Sequence, residues 1–360
     1  MERFAFVIHP IDVRRDVGRK YPIARYLPES VVAAGIRHLS PRKVSHITGI
    51  RSATGTEAEG WFIACPLTPT QLLTLPTEVV YKKLIQCGKI AEDLGARILG
   101  LGALTSVVGD GGVTISKNLN IAVTTGNSYT VATAVEGARR GADIMGMPIQ
   151  EATVAIVGAA GSIGRTCALM LARDAKRLAL IGRNAEKLEP VAREIAAAHP
   201  QVEVEVTGDV AHGLRQADVI LTVTSAVDAV IQPEHLKRGA VVCDVARPRD
   251  VSVRVAKERD DVLVIEGGIV AVPGADVDFH FNFGFPPKTA YACMSETIML
   301  ALEGRYESFT LGKEVSVAQA EETLRLATRH GFKLAGFRSF ERAVTEETIA
   351  RVRKAAGRNK

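Results

Sequence analysis

Short apolar runs alternate with helix-length amphipathic stretches through the middle of this chain, and one such junction organises the rest. Thr153 to Val157 reads as a strand, and it passes directly into Gly158-Ala159-Ala160-Gly161-Ser162-Ile163-Gly164. A helix-like run, Arg165 to Asp174, follows. A second apolar run, Leu178 to Ile181, then ends in Gly182-Arg183-Asn184. The pattern predicts strand, glycine turn, helix, strand. Further strands are expected at Val202 to Val206, Val219 to Val223, Ala240 to Cys243 and Val262 to Ile265, with helical stretches between several of them. That alternation predicts an α/β fold with a doubly wound parallel sheet.

Before this region, Phe4 to Ile8 and Gly60 to Ala64 read as strands, and Ile98 to Leu104 reads as a buried one. From Thr77 to Leu94, Val80, Leu84, Cys87, Ala91 and Leu94 recur at the spacing of one buried helix face. Ile121 to Val123 meets Thr124-Thr125-Gly126-Asn127-Ser128 ahead of a helical Tyr129 to Arg140, and Gly109-Asp110-Gly111-Gly112 marks a loop. Past Pro286-Pro287, helices are expected at Tyr291 to Glu303, Val315 to His330 and Thr345 to Ala355. Three segments result: a substrate domain over 1–148 with 128–148 as connecting helix, a Rossmann domain over 149–285, and C-terminal helices over 286–360 packing back on the substrate domain.

Composition agrees with a globular two-domain chain, since 360 residues at 47% hydrophobic and 24% charged can bury a sizeable core. No apolar run is long enough to span a bilayer, and Met1-Glu2-Arg3-Phe4 lacks the start of a signal peptide, so a cytoplasmic location is expected. The five cysteines are scattered without C-x-x-C spacing, so neither a disulfide framework nor a metal is expected. Net charge is +5, with basic residues crowded at Arg14, Arg15, Arg19, Lys20 and Arg25 and again at Arg351, Arg353, Lys354, Arg358 and Lys360. These are open to two readings, solvated faces or docking of an acidic partner.

The glycine turn carries the first chemical signal. Glycines let a backbone turn tightly against a pyrophosphate, whose charge is met by N–H groups at the helix start. Gly158, Ala160, Gly161, Ser162, Ile163 and Gly164 are therefore the expected cradle. At the end of the second strand, where an acid would hold the ribose of NAD, stand Arg183 and Asn184; an arginine there suits the 2′-phosphate of NADPH. Thr224, Ser225, Gly267 and Gly268 fall at carboxyl ends of later strands, where ligands lie in such sheets, as does Asp244.

A dinucleotide domain alone supplies a hydride and no substrate. Cys293 lies near the start of a predicted helix, where the helix dipole and Lys288 would favour its thiolate, although cysteine at an apolar helical position is commonly inert. Asn127, Ser128 and backbone N–H groups of the 125 to 128 turn are candidate oxyanion donors. His280 and His330 are available as acid–base groups, but lone histidines are more often structural.

Several blocks together resemble the long-chain acyl-carrier-protein reductases of cyanobacteria: Ala290-Tyr291-Ala292-Cys293-Met294-Ser295-Glu296, Leu302-Glu303-Gly304, Thr124-Thr125-Gly126-Asn127, Ala152 to Gly158, and Arg329-His330-Gly331-Phe332. The resemblance runs in order from about residue 50 to 335. It implies a two-domain fold of the shikimate dehydrogenase kind. It also implies NADPH-dependent reduction of a long-chain acyl thioester to a fatty aldehyde through an acyl group carried on Cys293. Expected partners are then an acyl carrier protein or coenzyme A thioester, with peripheral membrane contact for product delivery and no nucleic acid. The chain departs from that family at Gly109 to Gly112, at Phe279 to Phe285 and after Phe337. Two other readings compete: an NADP-dependent dehydrogenase of a small polar hydroxy or amino acid, with Cys293 merely packed, and an NADPH-binding sensor without turnover.

Overall fold

The computed structural model describes residues 1–282 and 284–358, and for Arg19 and Lys20 the backbone only. Phe283 and Lys360, named above, lie outside the described residues. The chain divides into two compact units. The first comprises Met1–Asn127, Val270–Glu314 and Thr323–Lys333; the second comprises Ser128–Ile269, Val315–Glu322 and Leu334–Lys360.

The first unit is built on strands β1 (Glu2–Ile8), β2 (Arg42–Arg51), β3 (Glu57–Ala64), β4 (Ile98–Gly100) and β5 (Ala122–Thr124), in the order β2-β3-β1-β4-β5. The central strand β1 runs parallel to β3 and β4, β4 runs parallel to β5, and only β2 is antiparallel to its neighbour. Core residues of this sheet, including Ala5, Val7, Ile63 and Leu99, pack with Val80, Leu84, Cys87 and Ala91 of helix Thr77–Asp93. That is the helix face expected from the apolar spacing. Ile98 to Leu104 is only partly a strand, because after Gly100 the chain turns into a short 3-10 helix, Ala103–Ser106.

The second unit holds a six-stranded, all-parallel sheet of β6 (Thr153–Val157), β7 (Arg177–Ile181), β8 (Glu203–Thr207), β9 (Val219–Thr222), β10 (Val241–Asp244) and β11 (Leu263–Glu266). Its order is β11-β10-β9-β6-β7-β8, so the winding reverses between β6 and β9. This is the doubly wound α/β arrangement expected, and its switch point falls beside the glycine turn. The strands β6, β9, β10 and β11 are almost wholly buried, the mark of a parallel sheet covered on both faces.

Candidate functional site

In the second unit, β6 ends at Val157 and Gly158 takes a φ of 90°, which only glycine adopts without strain. Gly161 then caps helix Ser162–Leu171, and no side chain occupies that cap. The first-turn N–H groups of Ser162, Ile163 and Gly164 are thus left for an anion. The turn is tight: a Cβ on Gly164 would lie 2.2 Å from the Gly158 carbonyl oxygen, and one on Gly158 would lie 3.1 Å from that of Val223. The residues present fit a pyrophosphate, with Ala160 lying within the same turn.

The cradle's neighbours are also at this edge. Arg183 and Asn184 follow β7, which pairs with β6, and both are exposed. Arg183 has no ion-pair partner among the described residues, so its guanidinium is available to a phosphate. Thr224 is less available than expected. Its hydroxyl donates to Asp250 Oδ1 at 2.5 Å and its N–H to Asp250 Oδ2 at 2.9 Å, while the Thr222 hydroxyl also donates to Oδ2 at 2.5 Å. Asp250 is fully buried, and burial raises its carboxyl above the ordinary range. It organises the loop after β9, a role the sequence conceals because its partners lie a strand and a loop away. Ser225 is exposed. Gly267 and Gly268 follow β11, three strands from β6, or about 14 Å across the sheet. A Cβ on Gly267 would lie 2.8 Å from Cys243 Sγ, so that glycine is required by packing. Buried Asp244 accepts from the N–H groups of Ala246 and Val251, and burial pushes its carboxyl up to about 6.

In the first unit, Cys293 is the second residue of helix Ala292–Leu302, whose N-cap is Tyr291. The other four cysteines are buried, and Cys293 alone keeps some accessible surface. The Gly126 backbone lies directly against it: a Cβ there would stand 2.3 Å from both Cα and Cβ of Cys293. Two residues after β4, Gly102 is also near, its added Cβ falling 3.0 Å from Cys293 Sγ. Two glycines therefore open the space in which the sulfur sits.

The turn that carries Gly126 is held by buried hydroxyls. Thr124 donates to Glu296 Oε1 at 2.5 Å, Thr310 donates to the same oxygen at 3.2 Å, and Thr125 donates to the Thr310 carbonyl at 2.7 Å. Glu296, one helical turn after Cys293, is wholly buried. Asn127 begins helix Asn127–Ile144 and is buried, and its amide has no hydrogen-bond partner among the described residues. Ser128 is completely buried.

The electrostatics correct the expectation for the thiol. Burial pushes Cys293 up to about 12, and the Glu296 carboxylate adds to the rise; backbone hydrogen bonds from Met294 and Ala103 only partly oppose it. Lys288 does not help, since its Nζ donates to the Ala275 carbonyl at 2.5 Å. The helix-start position therefore does not yield a thiolate here, because desolvation outweighs the dipole.

Neither histidine considered from the sequence stands out. His330 is buried between Ser52 Oγ at 2.8 Å from Nδ1 and Glu303 Oε2 at 2.8 Å from Nε2, where it ties the turn after β2 to helix Val317–His330. His280 is exposed, with Nδ1 2.8 Å from the His46 carbonyl. His9, at the carboxyl end of β1, escaped the sequence reading. Its Nε2 is buried without a partner, and burial holds the imidazole neutral, down to about 4. An isolated histidine after a strand offered no signal beyond its position.

Residues 141–266 match the shikimate / quinate 5-dehydrogenase family model. The long-chain acyl-[acyl-carrier-protein] reductase of Synechococcus elongatus is 27% identical over 90% of this chain and 95% of its own length. Aminotransferase PigE of a Serratia species is 30% identical over 85% of this chain, which spans only 36% of that protein. Among solved structures, quinate dehydrogenase from Corynebacterium glutamicum aligns with a TM-score of 0.33 at 15% identity, covering 68% of this chain and 80% of that one. The dehydrogenase match and the reductase relative, with the glycine cradle at the sheet's switch point, support an NAD(P)-dependent oxidoreductase of the shikimate-dehydrogenase-like kind.

Proposed function

We propose that the chain reduces a long-chain acyl thioester, presented on an acyl carrier protein or coenzyme A, to a fatty aldehyde through an acyl group held on Cys293. The observation that carries this reading is the setting of Cys293, the one cysteine with accessible surface, at a helix start opened by Gly102 and Gly126. The reductase relative, similar along nearly its whole length, supports the same reading.

In the first step the Cys293 sulfur attacks the thioester carbonyl, forming a new carbon–sulfur bond as the old one breaks. The thiol proton leaves with the departing thiolate of the carrier or coenzyme. When bound, NADPH supplies the hydride that reduces the acyl carbon. Cys293 then departs from that carbon as a thiolate while the aldehyde forms, and takes a proton from solvent. The Asn127 amide, its donors unspent, serves the passing oxyanion together with N–H groups of the 125 to 128 turn. In the dinucleotide part, placed over 149–285, the first turn after Gly161 holds the pyrophosphate and Arg183 the 2′-phosphate.

A dehydrogenase of a small polar substrate is the second reading, favoured by the shikimate / quinate dehydrogenase match and by a Cys293 thiol pushed up to about 12. Replacing Cys293 with serine separates the two. The acyl-enzyme route expects a folded protein that binds NADPH and forms essentially no aldehyde. Retention of thioester reductase activity would favour a packed cysteine.

A further inference from the structure

Residues 13–43 hold eight lysines and arginines against two acids, a local charge of +6 that exceeds the +5 of the whole chain. They form two short helices, Val13–Lys20 and Glu29–Ile36, joined by the 3-10 turn Pro22–Arg25. This element has its own small core of Val13, Ala24, Val32 and Ile36. Val17 and Leu27 pack against that core, while other apolar side chains of the element face water. Of the eleven exposed large hydrophobic residues among those described, five lie between Tyr21 and Leu39, with Tyr26 at 87%, Ile23 at 67% and Val31 at 53% exposure. Arg14, Arg25 and Arg37 are exposed nearby and have no carboxylate partner among the described residues.

We infer that this element is a docking surface for an anionic phospholipid bilayer. The charges would meet lipid phosphates while Ile23 and Tyr26 enter the headgroup layer, the two weak signals that together give reversible interfacial binding. Charge complementarity selects an acidic partner, and the protruding side chains select a bilayer over a protein. A bilayer receives any exposed apolar group, whereas a folded acidic partner would need sockets shaped for side chains standing this far out. Tyrosine and arginine also suit the boundary between headgroups and acyl chains. The inference does not depend on the reaction assigned to Cys293.

The test is co-sedimentation of the full chain with vesicles of phosphatidylcholine alone or mixed with phosphatidylglycerol, at low and high salt. Binding should require phosphatidylglycerol, weaken with salt, and fall by about tenfold or more in Arg14→Gln/Arg25→Gln/Arg37→Gln. The double variant Ile23→Ser/Tyr26→Ser should also lose binding while keeping the wild-type melting temperature, since both side chains lie outside the local core. Cys293→Ser should bind as the wild type does, whatever its activity. Failure to bind, equal binding to both vesicle types, or binding untouched by either set of substitutions would overturn the inference. So would capture of an acidic acyl carrier protein, but not of vesicles, that is lost in the same variants.

Discussion

Gly126 and Cys293 are in backbone-to-side-chain contact so close that no other residue fits at position 126. Its φ is +72°, and an added Cβ would stand 2.3 Å from Cys293 Cα. Gly126→Ala should therefore cost about 1–2 kcal/mol for the left-handed backbone alone, and more for the displacement of Cys293. Denaturant unfolding measures the first effect, and the change in the rate of Cys293 alkylation measures the second. Unaltered stability and reactivity would mean that the contact is not required.

The thiol itself should behave as a protonated group. With Cys293 pushed up to about 12 by burial, its alkylation rate in the free protein should climb about tenfold per pH unit between pH 7 and 10 without a plateau. Peptide mass analysis after iodoacetamide treatment reads this site apart from the four buried cysteines. A plateau near pH 7 would mean that the helix start governs the sulfur after all.

Glu296 contributes to that rise, so removing its charge should lower the thiol's pKa. Glu296→Gln keeps an oxygen for the Thr124 and Thr310 hydroxyls and should speed alkylation at pH 8 by up to roughly tenfold, one pKa unit being a factor of ten in thiolate. Slower alkylation would show that the carboxylate acts on the sulfur through position alone.

Cofactor choice should follow Arg183. Its guanidinium is exposed and has no ion-pair partner among the described residues, and a charge-assisted pair with a 2′-phosphate is worth roughly 1.5–3 kcal/mol. Arg183→Ala should weaken NADPH binding by about tenfold to a hundredfold and leave NADH nearly unchanged. Equal losses for both dinucleotides would remove Arg183 from phosphate recognition.

The parallel sheet of the second unit was legible because each of its buried strands is a short apolar run, and the glycine turn was legible because it follows one of them. Strand β2 was not. Its alternation is broken between Ile47 and Ile50, where Gly49 sits at a φ of 76° and the register with β3 shifts, so the two-residue period never runs long enough to be read. At the candidate site, sequence position put Cys293 at a helix start, and the structure agrees. What position could not convey was desolvation, which depends on how Gly102 and Gly126 pack around the sulfur. Asp250 and His9 were missed for a related reason, since the significance of each lies in buried surroundings assembled from distant segments.

Covalent acylation is the most direct measure of the proposed chemistry. Wild-type protein incubated with a long-chain acyl thioester in the absence of NADPH should gain the mass of one acyl group, located on the peptide that contains Cys293, and Cys293→Ser should gain none. Adding NADPH should remove that mass and release the corresponding aldehyde. A wild-type protein that stays at its unmodified mass with every acyl chain length tried, or one acylated at another residue with equal turnover, would contradict the acyl-enzyme route.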